Sequence, residues 1–447
     1  MKNSCTLGAF IYKIKTALKG GKDMTTFFDY YFYVSLGILG LIIIVFLIAY
    51  FPRLKGWFSS IKPQKRVYNE KKNKIALIIP ARNEAAVIGS LLDTCLEQTY
   101  DRNYFDMHVI VKDPSDIAIG ICREKGAYVH VDEDQKSKGD ALDYGIHEAM
   151  KVYDYDAYII VDADCMIDKK FLEEMNNALA TGAEVIESKK LVKNYLSNDP
   201  RSYALSAYCN GLIWTMIDDM GNRYKSDKGI TVLTIGTGVL MTRKVVKDLN
   251  GWPFKSMTED LELMYQCVLS GYKTYYQSYA KVYVEEATSM SVTNLRRTRW
   301  LSGVVDTYRG YKKQLKALKG KENKRNVYWT TTLNPTFYFY GALSLFTLIN
   351  FVGIFVCLPM VPSYWYYMAI LCGASFLTII GSFAILTVVC LIVEREFMSR
   401  LSWGAKLEIL FFHPWFYLMY LPIIGKAIFF KEERSWDPIE RIVFTNK

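Results

Sequence analysis

Ala157-Tyr158-Ile159-Ile160-Val161-Asp162-Ala163-Asp164 is an apolar run that stops at two carboxylates one residue apart. Such a run reads as a buried strand whose C-terminal tip presents acid groups. In open α/β sheets, ligands bind outside that tip. Two carboxylates so close repel each other unless a cation lies between or beside them. Mg²⁺ and Mn²⁺ favour carboxylate oxygens and share their shell with a substrate's phosphates. Asp162 and Asp164 are therefore candidates for a nucleotide–metal centre. The same residues also fit a plain turn in which Asp164 caps the next helix.

Upstream of this stretch, strand and helix patterns alternate. Apolar runs at 75–79, 107–111, 127–131 and 157–161 read as strands. Between them, 84–97, 116–125 and 138–150 carry helical stripes such as Val87, Ile88, Leu91, Leu92, Cys95 and Leu96. This order predicts an α/β domain with a mostly parallel sheet covered on both faces. Asn83-Glu84, Asp113 and Asp162-Ala163-Asp164 then share one edge. Downstream, the pattern predicts a strand at 184–188 and one or two helices over 200–220. A glycine-bearing turn at Ile235-Gly236-Thr237-Gly238 and a helix over 259–269 follow. Short strands at 273–276 and 281–284 complete the domain.

Both ends are apolar. Residues 32–51 hold about 20 positions without a charge, enough for a transmembrane helix ended by Pro52 and Arg53. Residues 7–18 fit an interfacial helix or a tail. Two more spans are expected at 337–361 and 364–393, joined by the uncharged Pro362-Ser363. The stretch 409–430 carries His413, Pro414 and Pro422, so a re-entrant or interfacial segment competes with a straight span. Residues 295–309 form a basic amphipathic helix suited to a membrane surface. The division expected is an N-terminal segment (1–29), a span (30–52) and a cytoplasmic catalytic domain (53–292). An interface helix region (293–328), a C-terminal membrane region (332–430) and a cytoplasmic tail (431–447) follow. Half the residues (51%) are hydrophobic and the mean hydropathy is +0.06, which suits a soluble domain joined to a few spans. The net charge of +10 comes from Lys and Arg beside the apolar stretches, which matches the positive-inside bias rather than nucleic-acid binding. Nine scattered cysteines with no C-x-x-C pair exclude a disulfide framework or a zinc site. No secretory signal is expected.

The chain carries no G-x-x-x-x-G-K-[ST] phosphate loop, no complete dinucleotide fingerprint and no G-x-S-x-G elbow. What it carries is an ordered set: Glu84, Asp113, Lys138, Asp162-Ala163-Asp164, Thr258-Glu259-Asp260, and Arg296-Arg297-Thr298-Arg299-Trp300. With this set the chain resembles the family 2 glycosyltransferases. The likeness is to the membrane-embedded β-glycan synthases that make poly-N-acetylglucosamine, cellulose and hyaluronan. Their signature is D, D-x-D, T-E-D and Q-x-x-R-W in that order, on a GT-A fold flanked by transmembrane helices. The chain departs from it at Arg296, where the family has Gln.

The resemblance implies roles for each position. Asp164 would ligate Mg²⁺ or Mn²⁺, and Asp162 would contact the nucleotide. Glu84 and Asp113 would hold the uridine; helix or turn capping explains either residue equally well. Lys138 and Arg299 would meet the diphosphate. Asp260 would be the general base. Glu259, Gly236, Thr237, Gly238 and Trp300 would face the acceptor sugar, although Thr258 capping a helix and Trp300 anchoring at an interface are alternatives. The expected activity is inverting, metal-dependent transfer from a UDP-sugar, UDP-N-acetylglucosamine or UDP-glucose, to a growing β-linked glycan passed outward between the helices. Addition of one sugar to a lipid-linked acceptor is the competing enzyme reading. A catalytically silent secretion scaffold is the non-enzymatic one. Expected partners are the donor, a glycan or glycolipid acceptor, the plasma-membrane bilayer and export or accessory proteins, with no nucleic acid.

Overall fold

The computed structural model describes residues 21–196, 204–287, 289–331, 335–360 and 364–429. The expected features at 7–18, at Pro362-Ser363 and at 431–447 lie outside these residues. The chain divides into two compact units: Met1–Pro52 with Leu333–Leu386, and Arg53–Thr332 with Thr387–Lys447.

The larger unit holds a sheet of eight strands among the described residues. They are β1 (Ile75–Pro80), β2 (Phe105–Val111), β3 (Tyr128–Val131), β4 (Ala157–Ile160), β5 (Met166–Ile167), β6 (Val185–Val192), β7 (Val239–Thr242) and β8 (Thr274–Val284). Their spatial order is β3-β2-β1-β4-β7-β6-β8-β5. The first four run parallel. β7 is antiparallel to both neighbours, β6 and β8 are parallel, and β5 is antiparallel to β8. The sheet is thus mostly parallel, as its continuous apolar strands require. β4 is buried at every position because helices cover it on both sides.

The helices, with the shortest ones left unlabelled, are α1 (Gly21–Ser60), α2 (Ile88–Leu96), α3 (Ala118–Glu124), α4 (Lys138–Val152), α5 (Phe171–Leu179), α6 (Leu205–Ile217), α7 (Arg243–Leu249), α8 (Glu259–Ser270) and α9 (Met290–Ala317). After them come α10 (Lys321–Thr331), α11 (Pro335–Met360), α12 (Trp365–Val393), α13 (Trp403–Leu418) and α14 (Tyr420–Phe429). Ile78, Ile110, Leu142, Ile146, Ile160, Met241, Trp252 and Leu263 form one buried core that locks α4 and α8 to the sheet.

Some expectations need correction. Pro52 does not end the first apolar helix, which runs on to Ser60. A proline removes one hydrogen bond to the previous turn, and the flanking turns carry the helix past that loss. The two short strands expected at 273–276 and 281–284 are one strand, β8, with a register shift opposite Ser188 and Lys189. The strand expected at 184–188 extends to Val192. The amphipathic helix expected at 295–309 is longer, 28 residues. Among the described residues, four helical runs are long and apolar enough to cross a membrane: Thr26–Phe51, Tyr338–Phe355, Trp365–Val393 and Trp403–Phe429. In the smaller unit, hydroxyl pairs tie the apolar helices together: Thr347 with Ser375 at 2.7 Å and Tyr340 with Ser382 at 2.8 Å.

Candidate active site

Three parallel strand tips converge on one edge. After β1 the chain turns at Asn83, whose φ of 60° is a left-handed conformation that Asn tolerates, and Glu84 follows half-buried. After β2, Asp113 is exposed. Its carboxylate accepts from the Ser115 amide at 2.8 Å and the Ser115 hydroxyl at 2.7 Å, and these bonds hold its pKa below the usual carboxylate range. The turn role of Asp113 is therefore real, and its exposure still leaves oxygen surface for a ligand. After β4 come Asp162, Ala163 and Asp164. Asp164 does not cap a helix, because β5 follows it and α5 begins only at Phe171.

The centre of the site is Lys138. A capping box, Ser137 with Asp140, starts α4 and fixes Lys138 in its first turn. The Lys138 ammonium lies 2.6 Å from Asp162 Oδ1 and 3.5 Å from Glu259 Oε1, and it donates to the Gly236 carbonyl at 2.7 Å. Burial works against its charge, but Asp162 and Glu259 outweigh burial and raise its pKa. Glu259 is itself buried. Desolvation pushes its carboxyl up to about 7 against the pull of Lys138.

Gly236 joins this cation to the proposed base. Its amide donates to Asp260 Oδ2 at 2.8 Å, while the Leu261 amide donates to Asp260 Oδ1 at 2.8 Å. A Cβ on Gly236 would point into the charges, 3.0 Å from Lys138 Nζ and 3.5 Å from Asp260 Oδ2. Gly238 has a φ of 69°, and a side chain there would collide with Ser188. Thr237 accepts from the Asp162 amide at 3.0 Å and lies 3.5 Å from Cys165 Sγ. The loop therefore binds both the β4 tip and the start of α8. This is a closer involvement with Asp162 than an acceptor-facing loop alone implies.

Ligand atoms of Asp162, Asp164 and Cys165 lie within 4.8 Å of one another. Burial raises the Cys165 thiol well above its ordinary pKa, so it stays protonated and is a poor donor to a hard cation. The two carboxylates suit Mg²⁺ or Mn²⁺ with further oxygens from a diphosphate.

Helix α9 closes the site from the T-E-D side. Thr258 does not cap α8; its hydroxyl instead pairs with Thr307 at 2.8 Å. Gly303 presses on Thr258, so that a Cβ there would lie 2.5 Å from Thr258 Cγ2. Arg299 is one turn before Gly303, on the same face, and half-buried. Trp300 faces another direction. Its ring packs against Trp214 at 5.7 Å, and the Arg297 guanidinium sits 4.6 Å from its centre. Arg297 also donates to Asn210 at 2.9 Å, and Trp214 donates to Glu286 at 2.7 Å. Arg296 is buried and donates to the Glu285 carbonyl at 2.9 Å. The structure thus brings Lys138, Asp162, Asp164, Gly236, Thr237, Glu259 and Asp260 together. It leaves Glu84 and Asp113 on neighbouring tips, and it seats Trp300 on Arg297. Sequence reasoning missed Trp214, Gly303 and Thr307, and it gave Arg297 no role of its own. A glycine inside a long amphipathic helix was the one available signal, for Gly303.

A mostly parallel sheet with acid-tipped strands, joined to a helical region, defines a GT-A fold. The family described as glycosyltransferase like family 2 matches residues 72–303, just over half of the chain, and the protein belongs to that family. Probable glycosyltransferase YdaM of Bacillus subtilis is 24% identical over 438 residues, covering 92% of this chain and 97% of that protein. The poly-beta-1,6-N-acetyl-D-glucosamine synthase of Staphylococcus aureus is 22% identical over 267 residues, covering 57% of this chain and 60% of the synthase. The chain thus spans nearly all of YdaM, 60% of the synthase and 50% of a probable glycosyltransferase of Sulfolobus acidocaldarius to which it is 22% identical over 249 residues, 53% of this chain. A mannosyltransferase from Pyrobaculum calidifontis, solved with GDP-Man and Mn2+, shares the fold with a TM-score of 0.51 at 15% identity. That likeness covers 88% of this chain and 99% of that one.

Proposed function

We propose that the protein is an inverting, metal-dependent membrane glycosyltransferase. It transfers a sugar from a UDP-sugar to a growing β-linked polysaccharide and exports the product. The observation that carries this reading is the Gly236 peptide, whose N–H orients Asp260 and whose C=O holds Lys138 against Asp162.

The chemistry follows from the residues. Asp162 and Asp164 would hold Mg²⁺ or Mn²⁺ against the donor diphosphate, and the ion would offset charge on the leaving group. Lys138 keeps a positive charge beside that position. Asp260 accepts the proton of the acceptor hydroxyl as the oxygen attacks the anomeric carbon. The bond from that carbon to the diphosphate breaks, and its electron pair leaves with UDP. One displacement inverts the centre, so an α-linked donor yields a β-linked product. Arg299, on the α9 face that meets Thr258, extends positive charge toward the diphosphate. Glu84 and Asp113 are proposed to hold the uridine, and Glu259, Thr237, Gly238 and Trp300 to shape the acceptor side.

Donor and acceptor classes rest on the relatives. The name of the staphylococcal synthase supports UDP-N-acetylglucosamine, with UDP-glucose second. The four apolar helices and the membrane-associated relatives support a multi-pass plasma-membrane protein with its catalytic domain in the cytoplasm. The test incubates detergent-purified protein with Mg²⁺ or Mn²⁺ and labelled UDP-N-acetylglucosamine, UDP-glucose and GDP-mannose, followed by product sizing. A ladder or high polymer from a UDP-sugar is expected. A single lipid-soluble product would replace polymerisation with lipid-linked transfer. Asp260→Asn is expected to lower UDP release about 10²- to 10⁴-fold, the usual worth of a positioned base. Wild-type release by that variant would remove Asp260 from the mechanism.

A further inference from the structure

The glycine loop is mounted on a buried charge. Strand β6 carries Glu187, Ser188, Lys189 and Lys190, all buried. Charged side chains inside a sheet are costly unless paired, so this run requires an account. Glu187 is fully buried, and its Oε1 forms an ion pair with Lys190. Its other oxygen, Oε2, accepts from the Ile235 amide at 3.1 Å. Ile235 immediately precedes Gly236, so this hydrogen bond fixes the Thr234–Ile235 peptide plane, the one just before the plane that carries the Gly236 N–H.

The surrounding groups keep Glu187 in place. The Lys190 amide donates to Asp218 Oδ2 at 2.8 Å, and its ammonium donates to the Ser188 carbonyl at 2.9 Å. Asn222 accepts from the Leu233 amide at 2.7 Å and donates to the Leu233 carbonyl at 2.9 Å, which anchors the start of the same loop. Next to these, Lys189 pairs with Asp219 at 2.7 Å and Glu394 at 2.8 Å, and Tyr276 donates to Asp219 at 3.0 Å. The loop therefore hangs from Glu187 at Ile235 and from Asn222 at Leu233. It delivers one N–H to the base and one C=O to Lys138.

We propose that Glu187 is a positioning residue for transfer: its bond to the Ile235 amide aims the Gly236 N–H at Asp260. The inference rests on the reading of Asp260 as the base. Lys190 is the partner that offsets the burial of the Glu187 carboxylate. Without Glu187 the Gly236 amide swings away, and Asp260 loses one of the donors that aim it.

The test compares two double variants of the full-length protein in the UDP-release assay. Glu187→Gln/Lys190→Met removes both charges but keeps an acceptor for Ile235. Glu187→Leu/Lys190→Met removes the acceptor too. The first is expected to hold kcat within about threefold of wild type. The second is expected to lose about tenfold or more in kcat with KM for the donor within about twofold, the signature of a misplaced catalytic group. Glu187→Asp covers the case in which the leucine variant does not fold, since it keeps the ion pair but withdraws the carboxylate from Ile235. It should lose about threefold or more in kcat with KM for the donor within about twofold. Equal losses in both double variants, or unchanged kcat in Glu187→Asp, would overturn the proposal. Asp260→Asn in the same assay separates the two claims. If it is inactive while Glu187→Asp matches wild type, only the positioning role fails. If it is fully active, the base reading fails first.

Discussion

Lys138 shows why three acids can crowd one corner of the protein. Its ammonium bonds Asp162, faces Glu259 and holds Gly236 beside Asp260, so a single cation offsets three neighbouring carboxylates, of which Glu259 is buried. The offset is incomplete at Glu259, whose carboxyl is pushed up to about 7 from 4.5 by burial. A carboxyl raised on folding binds its proton more tightly in the folded chain. Its contribution to stability is therefore fully present below the ordinary value and is lost as pH rises through the folded one. Lys138 stays charged throughout that window, because its pKa is raised. The melting temperature of wild type relative to Glu259→Gln should thus fall between pH 4.5 and 7. A difference that is flat or rises across that range, measured in one detergent, would contradict the assignment. The residues of this corner were legible in sequence where an acid or lysine ends an apolar run, as at Asp162 and Asp164, or opens a helix, as at Lys138 and Asp260. Glu187 was not legible. One glutamate before Ser188-Lys189-Lys190 reads as a strand fraying into solvent, whereas those charges are paired within the fold.

Among elements, α9 does most to complete the site. Its sequence reads as a membrane-surface helix because Arg296, Arg297, Arg299 and Arg309 alternate with apolar residues. In the structure Arg296 and Arg297 are buried, Arg296 donating to the Glu285 carbonyl and Arg297 meeting Asn210 and Glu286, so the basic stripe faces partly inward. What the pattern could not reveal was the contact at Gly303, since a glycine in a helix signals only lost propensity until its neighbour is known. Replacing a mid-helix glycine by alanine ordinarily stabilises by about 1 kcal/mol. Here the new methyl would meet Thr258 at 2.5 Å, and overpacking of that kind costs about 1–3 kcal/mol. The clash is at least equal to the propensity gain, and it falls on the turn that bears Glu259 and Asp260. Gly303→Ala should therefore leave the melting temperature at or below wild type, by a net cost of about 0–2 kcal/mol, while lowering kcat about tenfold through the displaced base. Gly310→Ala on the same helix, where a methyl meets nothing within 4 Å, should leave kcat unchanged. Equal kcat in both variants would separate α9 from catalysis. Strand β8 is the opposite case. Its two ends were legible and its middle was not, because the alternation breaks where its register slips.

For the molecule as a whole, the open question in the sequence was whether the last apolar stretch crosses a membrane. By length and hydropathy Trp403–Phe429 qualifies, as does Thr26–Phe51. The two differ in how their ends are held. Just before α13, Glu396 pairs with Lys281 at 3.0 Å, and Arg400 donates to the Tyr195 carbonyl at 3.4 Å. At the end of α14 the Ile428 carbonyl accepts from Arg309 at 2.8 Å, and at its start Tyr420 lies 5.7 Å from the Arg297 guanidinium. Both ends therefore rest on the catalytic unit. A straight helix of 27 residues would carry its ends about 40 Å apart, beyond the thickness of a bilayer's hydrocarbon core. The helical run is interrupted at Met419, between α13 and α14, with Pro414 inside α13. These contacts favour a segment that dips into the interface and returns over one that spans. Single cysteines placed at the exposed positions Ser402 and Phe429 should both react with a membrane-impermeant thiol reagent from the same side of oriented vesicles. Reaction from opposite sides would make the segment a true span and would require the Arg309–Ile428 contact to be absent in the membrane.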